Sequence, residues 1–273
     1  MTGTPGDEPA FAALTDKIAR DRGFGAANYK DTCLRRRIAV RMRARGAHDY
    51  GEYGRLLDTD PAEWERLIDT LTVNVTKIFR NPEVWAAVER LVLGELWQGP
   101  AQRLQCWVAG CSSGEEAFTL AALWHRHASA RHEGDRIGRV RIVASDIDRA
   151  SLDAAQRGAY GSEAFVEAPA DVRARYFSPG PPHVAAPELR ALVRFERRDL
   201  LLDAVLPGAT YLITCRNVVI YFDRASQEVL MQRFHDALAP GGFLVLGKVE
   251  TVLGPSRALF DVVDQRQRIF RRT

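Results

Sequence analysis

The chain has 273 residues, 46% hydrophobic and 27% charged, enough to bury the core of one large domain or two ordinary ones. This excludes a disordered or fibrous chain, and no apolar run reaches the ~18–20 residues of a membrane span. The formal net charge of +3 assigns no partner by itself.

The N-terminal MTGTPGDEPAF has no basic segment followed by an apolar one, so no secretory signal is expected and the cytoplasm is the expected compartment. Residues 1–80 read as a helical domain. Phe11, Leu14 and Ile18 recur at helical spacing. A second helix is predicted from about Tyr29 to Arg45, with Leu34, Ile38 and Met42 on one face and Gly46 as its stop. Its basic residues, seven Lys/Arg from Lys30 to Arg45 against Asp31 alone, suit an acidic partner. Arg37, Arg41 and Arg45 are four apart and share a face. They read either as a docking stripe or as an ordinary solvated surface. A third helix holds Tyr50, Tyr53 and Leu57. A fourth starts after Asp60-Pro61, a cap followed by a first-turn proline. Residues 81–102 read as a linker helix.

From about Arg103 short apolar runs alternate with helical stretches: LQCWVAG, RVRIVASDID, ATYLITCRN and GGFLVLGKVE read as strands. The fold class is therefore α/β, a mostly parallel sheet covered by helices, over residues 103–273. Residues 171–199, with the turn SPGPP, break the alternation and read as a small antiparallel insert. The four cysteines, Cys33, Cys106, Cys111 and Cys215, form no CxxC pair and do not cluster with histidines. Neither a disulfide framework nor a metal site is expected.

Four segments carry candidate chemistry. In WVAGCSSGEEAFTLA (107–121) a strand ends in small residues that admit a ligand to the backbone, and a helix starts with free N–H groups beside Glu115 and Glu116. The loop lacks GxGxxG and the Walker lysine, which argues against a dinucleotide or phosphate cradle. Asp146, at the end of a strand, is placed to accept hydrogen bonds from ribose hydroxyls, whereas Asp148 fits a helix cap better. In CRNVVIYF (215–222), Arg216 and Asn217 lie between apolar runs and need a ligand or a network. In NVTKIFR (74–80), Asn74, Thr76 and Arg80 converge just before the α/β domain, or else form a solvated loop.

Together these segments resemble the chemotaxis receptor methyltransferases, the CheR family, in order and spacing from about Phe11 to Phe270. NVTKIFR is similar to the family's N-x-T-x-F-F-R, and WVAGCSSGEEAFTLA to its A-G-C-S-[ST]-G-E-E-P-Y-S-L. ASDID, CRNVVIYF and APGGFLVLG follow in order. The resemblance implies an N-terminal all-α helical domain and a Rossmann-like S-adenosylmethionine methyltransferase domain with a small antiparallel β insert. It implies methyl transfer from S-adenosyl-L-methionine to receptor glutamates, with S-adenosyl-L-homocysteine as product. By the same resemblance Asn74, Thr76, Arg80, Glu116, Asp146, Asp199, Leu200, Cys215 and Arg216 line the cofactor pocket, and Tyr221 lies near the reactive methyl. Arg80 and Tyr221 are the candidate catalytic residues, in positioning roles rather than as bases, with Arg80 holding either the incoming carboxylate or the cofactor's own. Ile78, Ala117, Phe118, Tyr211 and Asp199 depart from the family's usual residues, as does GKVE (247–250), where a form closer to G-H-S-E is usual.

The partners implied are cytoplasmic helices of chemoreceptors, docked on Arg37, Arg41 and Arg45. In some members the β insert also holds a receptor tail. A monomer is expected, without membrane insertion. Nucleic acid is not expected, because no stacking aromatics interleave with the arginines. A non-catalytic S-adenosylmethionine-binding module and a methyltransferase for a non-receptor protein remain as alternatives.

Overall fold

A computed structural model of the chain describes residues 7–22, 24–71, 76–205 and 208–273. They form two compact units, one of the helices up to Leu71 with Tyr221–Ser226, the other of Thr76–Ile220 and Gln227–Thr273. No described helix is long and apolar enough to cross a membrane.

The helical unit holds α1 (Asp7–Arg22), α2 (Asp31–Arg45), α3 (Tyr50–Thr59) and α4 (Pro61–Leu71). The expected periodicities are the buried faces: Phe11, Leu14 and Ile18 on α1, and Leu34, Ile38 and Met42 on α2. Gly46 ends α2 in the left-handed region, φ 70°. Asp49 caps α3 by accepting from the Glu52 N–H at 2.7 Å, and the Asp60 carboxylate accepts from Ala62 and Glu63 at the start of α4.

The basic face of α2 is not the open stripe that its spacing suggests. Arg41 grips Glu63 of α4 with two bonds, Nε–Oε1 2.9 Å and Nη2–Oε2 2.7 Å. Arg45 pairs with Asp60 at 2.8 Å and reaches Glu63 at 3.5 Å. Arg37 is buried, donates to the Leu71 carbonyl, and lies with its guanidinium 4.4 Å from the Tyr221 ring centre. The three arginines do share a face, as predicted, but that face packs on α4. Four-residue spacing fixes which residues are neighbours, not whether their side is covered. The arginines left exposed are Arg36 and Arg43, flanking exposed Val40.

The second unit is built on a seven-stranded sheet of β1 (Leu104–Ala109), β2 (Val140–Asp146), β5 (Val193–Arg197), β6 (Thr210–Cys215), β7 (Leu238–Leu246), β8 (Phe260–Asp264) and β9 (Ile269–Arg272). The order is β5-β2-β1-β6-β7-β9-β8. The first five are parallel, while β9 runs antiparallel to both β7 and β8. The central β1 and β6 are apolar and almost wholly buried, as strands covered on both faces must be. The separate antiparallel pair is β3 (Ala159–Tyr160) with β4 (His183–Val184). The predicted insert is thus displaced. It lies between residues 158 and 192, and the segment VRFER assigned to it is the edge strand β5, paired in parallel with β2. As an edge strand it is half-exposed, and its alternation imitates an antiparallel ribbon.

The helices of this unit are α5 (Pro82–Val88), α6 (Gly94–Gln98), α7 (Glu115–Ala130), α8 (Arg149–Arg157), α9 (Ala170–Tyr176), α10 (Pro187–Leu192) and α11 (Arg224–Ala237). A wide turn, Glu89–Leu93, joins α5 and α6 into one rod. Residues 81–102 are not a linker in this structure. Val84, Trp85, Val88, Val92, Leu93 and Trp97 join the same core as β1 and α7, because the rod's apolar face is too large to leave wet.

Glu63 is wholly buried, and it also accepts from the Tyr53 hydroxyl at 2.8 Å. Burial pushes its carboxyl up, but Arg41, Tyr53 and the nearby Arg45 outweigh this and hold it below the ordinary value. Removing one partner strands the other charges, so Glu63→Gln is expected to cost about 3 kcal/mol at neutral pH. With the folded value depressed, the contribution is complete above the unfolded value of about 4.3 and is lost as pH falls through the lower folded value. Urea unfolding of both proteins from pH 7 to pH 3 checks this. The gap between them should close toward the acid end, and a constant gap contradicts the assignment.

Candidate cofactor site

The carboxyl ends of β1, β2 and β6 meet at one edge of the sheet. There the chain passes from β1 to α7 through four small residues and glycine. The Gly110 and Cys111 N–H groups both donate to the Ser145 carbonyl at the end of β2, at 2.8 and 2.9 Å. Gly110 (φ 80°) has no room for a side chain, since a Cβ would lie 2.5 Å from Val218 Cγ2. Ser112 is also left-handed and donates its N–H to Asp146 Oδ2 at 2.7 Å. Gly114 (φ 94°) opens α7, and its Cβ would meet Ala155 at 2.9 Å and the Tyr160 hydroxyl at 3.0 Å. The tight backbone of the loop is thus set by its neighbours.

Asp146 ends β2, and its other oxygen accepts from the Asp148 N–H at 3.0 Å. Burial pushes its carboxyl up, against the pull of these two N–H groups. Asp148 is the helix cap expected of it, accepting from Ala150 and Ser151. Of the paired acids, Glu115 turns inward, buried and held by the Ser113 hydroxyl at 3.0 and 2.8 Å, while Glu116 faces Arg216.

Arg216 is the hub. It is 5% exposed, and three groups share its guanidinium. Nη1 donates to Glu116 Oε2 at 3.1 Å, and Nη2 donates to the Arg80 carbonyl and to Asn81 Oδ1, both at 3.0 Å. The Trp85 ring centre lies 4.9 Å from its carbon, and the Trp85 indole N–H donates to the same Arg80 carbonyl at 3.0 Å. Arg80 sits between two left-handed residues that are not glycine, Phe79 and Asn81, both φ 59°. Each costs roughly 1 kcal/mol and is kept in place by partners. The Phe79 N–H donates to Thr119 Oγ1, the Ile78 N–H to the Ala164 carbonyl, and the Asn81 N–H to Glu167 Oε2.

Of the predicted positions, Arg80, Glu116 and Arg216 are therefore joined directly. Asp146 is joined to the same β1–α7 loop, and Cys215, with its thiol pushed well up by burial, precedes Arg216. Thr76 is partly buried at the head of the motif. Asn74 lies outside the described residues. Leu200 is buried in the turn after β5, its carbonyl bonded to Arg233 Nε at 2.8 Å. The Asp199 carboxylate closes that turn, accepting from Leu201 and Leu202. Tyr221 belongs by its contacts to the helical unit, where its carbonyl accepts from Lys30 N–H. Sequence reasoning passed over Asn81 and Trp85. The Asn-Pro pair at 81–82, a turn signal, is the one cue that pointed there.

The edge fits a nucleoside cofactor. Ser112 Oγ, Arg216 Nε and Asn217 Oδ1 are buried without a partner, at the ends of adjacent strands. Buried polar atoms of this kind call for a ligand. A parallel sheet with one reversed strand, β9, a small-residue loop after β1 and an acid at the end of β2 define a Rossmann-like S-adenosylmethionine methyltransferase domain. The chain belongs to the CheR methyltransferase family: residues 74–269 match its SAM binding domain and residues 9–72 its all-alpha domain. It is 33% identical to a chemotaxis protein methyltransferase of Listeria innocua over 92% of this chain and 94% of that one. It is 33% identical to that of Klebsiella aerogenes, over 94% and 88%, and 31% identical to that of Escherichia coli, over 88% and 83%.

Arg216→Lys is expected to fail as a replacement, because one ammonium cannot span Glu116, Arg80 and Asn81 while lying over Trp85. Calorimetric titration with S-adenosylhomocysteine should show at least a thirtyfold loss of affinity, about 2 kcal/mol. Wild-type affinity in the lysine variant would contradict the hub.

Proposed function

We propose that this methyltransferase esterifies glutamate side chains of chemoreceptors. Supporting the reading, the relatives named above are chemotaxis methyltransferases matched along nearly their whole length. The chemistry of the edge is the observation that carries it. Burial pushes the Cys111 and Cys215 thiols well up, so both stay neutral. Glu116 is engaged by Arg216, and Asp146 by two backbone N–H groups. None of these is a free base for deprotonating an amine or hydroxyl. A glutamate carboxylate, with a pKa near ~4.3, needs no deprotonation at neutral pH.

When bound, S-adenosylmethionine supplies a methyl group activated on a sulfonium. The chain's work is then to hold and align. In this reading Asn74, Thr76, Glu116, Asp146, Asp199, Leu200, Cys215 and Arg216 line the cofactor. Asp146 takes the ribose hydroxyls, and Arg80 and Tyr221 orient the incoming carboxylate. Receptor docking falls to the exposed arginines of α2, Arg36 and Arg43 with Val40 between them, since Arg37, Arg41 and Arg45 are engaged internally.

Labelled S-adenosylmethionine with a receptor cytoplasmic fragment tests the reaction. Base-labile label on the receptor is expected, and binding without transfer would instead favour a non-catalytic module. Arg80→Ala and Tyr221→Phe should each lower turnover at least tenfold. Near-normal rates in both remove them from the mechanism. Paired reversal, Arg36→Glu with Arg43→Glu, should raise the KM for receptor severalfold and leave S-adenosylhomocysteine affinity unchanged. Equal loss of both counts against a docking role.

A further inference from the structure

Glu250 takes no part in the cofactor contacts assigned above, yet it is as buried as the core, at 3% exposure, while its neighbour Val249 is 76% exposed. Its carboxylate is filled by main-chain donors. Oε2 accepts from the Asn217 N–H at 2.9 Å and the Gly247 N–H at 2.6 Å, and Oε1 accepts from the Ile220 N–H at 3.1 Å. Asn217 and Gly247 lie just past the ends of two adjacent parallel strands, β6 and β7, and Ile220 lies in the turn that follows β6. Gly247 has no room for a side chain: a Cβ would lie 2.6 Å from Glu250 Oε2 and 2.8 Å from the Asn217 nitrogen. The turn so gripped contains Asn217, left-handed at φ 61°, whose side-chain oxygen is buried and unpartnered, and it begins at Arg216.

A bare turn after β6 would leave several N–H groups unsatisfied and Asn217 in a costly conformation. One anionic side chain answers both needs, because bonds to an ionised acceptor are the strong ones. We propose that Glu250 is a positioning residue for the cofactor site, holding the Arg216–Ile220 turn in the shape that binds S-adenosylmethionine without touching it. Neither shortening nor neutralising the carboxylate preserves this. Aspartate cannot reach both strand ends, and the amide of glutamine sets an N–H donor against backbone N–H donors.

Calorimetry of the intact chain with S-adenosylhomocysteine tests the proposal, alongside thermal unfolding of the same samples. Binding by the wild-type chain secures the cofactor reading independently. Glu250→Gln and Glu250→Asp should each raise the Kd at least tenfold, or 1.4 kcal/mol. Glu63→Gln, which removes a buried carboxylate from the helical unit, should lower the unfolding temperature with its Kd within twofold of wild type. A Kd within twofold in the Glu250 variants, or an equal rise in Glu63→Gln, overturns the proposal and leaves Glu250 a stabilising residue only. If neither Glu250 variant folds, amide hydrogen exchange on the wild-type chain decides. S-adenosylhomocysteine must slow exchange at Asn217 and Ile220, and unchanged rates there overturn the proposal.

Discussion

The guanidinium of Arg216 is the interaction on which the cofactor edge depends. A charge that is 5% exposed carries a desolvation penalty of several kcal/mol unless its donors are met. Here the two terminal nitrogens are met by three groups from distant parts of the chain: Glu116 at the start of α7, and the Arg80 carbonyl and Asn81 side chain before α5, while Nε is left without a protein partner. One residue at the end of β6 thereby fixes both the first turn of α7 and the conformation of the Arg80 turn. The left-handed pair Phe79 and Asn81 is tolerable because these bonds, with those to Thr119 and Glu167, over-determine it.

Much of the fold was legible because buried parallel strands must be apolar runs, and β1, β2, β6 and β7 are such runs. What misled was partial exposure. VRFER alternates because one of its sides is open at the sheet edge, and alternation alone does not distinguish an edge strand from a hairpin. Residues 81–102 read as a connector because periodicity shows that a helix has an apolar face, not which core receives it. The arginines of α2 fail for the same reason. Their common face follows from the 3.6-residue period, but the covering partner, Glu63, lies eighteen or more residues further on in another helix.

At the site, the residues that sequence named were those whose chemistry is visible alone: an acid ending a strand, an acid starting a helix, an arginine between apolar runs. Those it passed over act through backbone conformation, main-chain partners or a ring face. Asn81 matters through its φ angle and one oxygen, Trp85 through a ring face and an indole N–H to a carbonyl, and Glu250 through three main-chain donors. None of these roles leaves a side-chain pattern. The departure GKVE illustrates the point. Its two unusual residues, Lys248 and Val249, point outward, whereas Gly247 and Glu250 are the pair the clamp uses.

Two buried carboxylate networks thus solve different problems. In the helical unit Glu63 neutralises arginines that α2 would otherwise leave against α4, and its partners are side chains with charges of their own. Glu250 is held by backbone donors, so its cost of burial is offset by fixed main-chain dipoles rather than by a flexible counter-charge. Dipoles of that kind are preorganised, and a site that must hold one geometry for an outside nucleophile gains more from preorganisation than from net charge. The same argument separates shape from substrate recognition. The bonds that Arg216, Asp146 and Glu250 make lie inside the second unit, so the exposed charges of α2, such as Arg36 and Arg43, take no part in them.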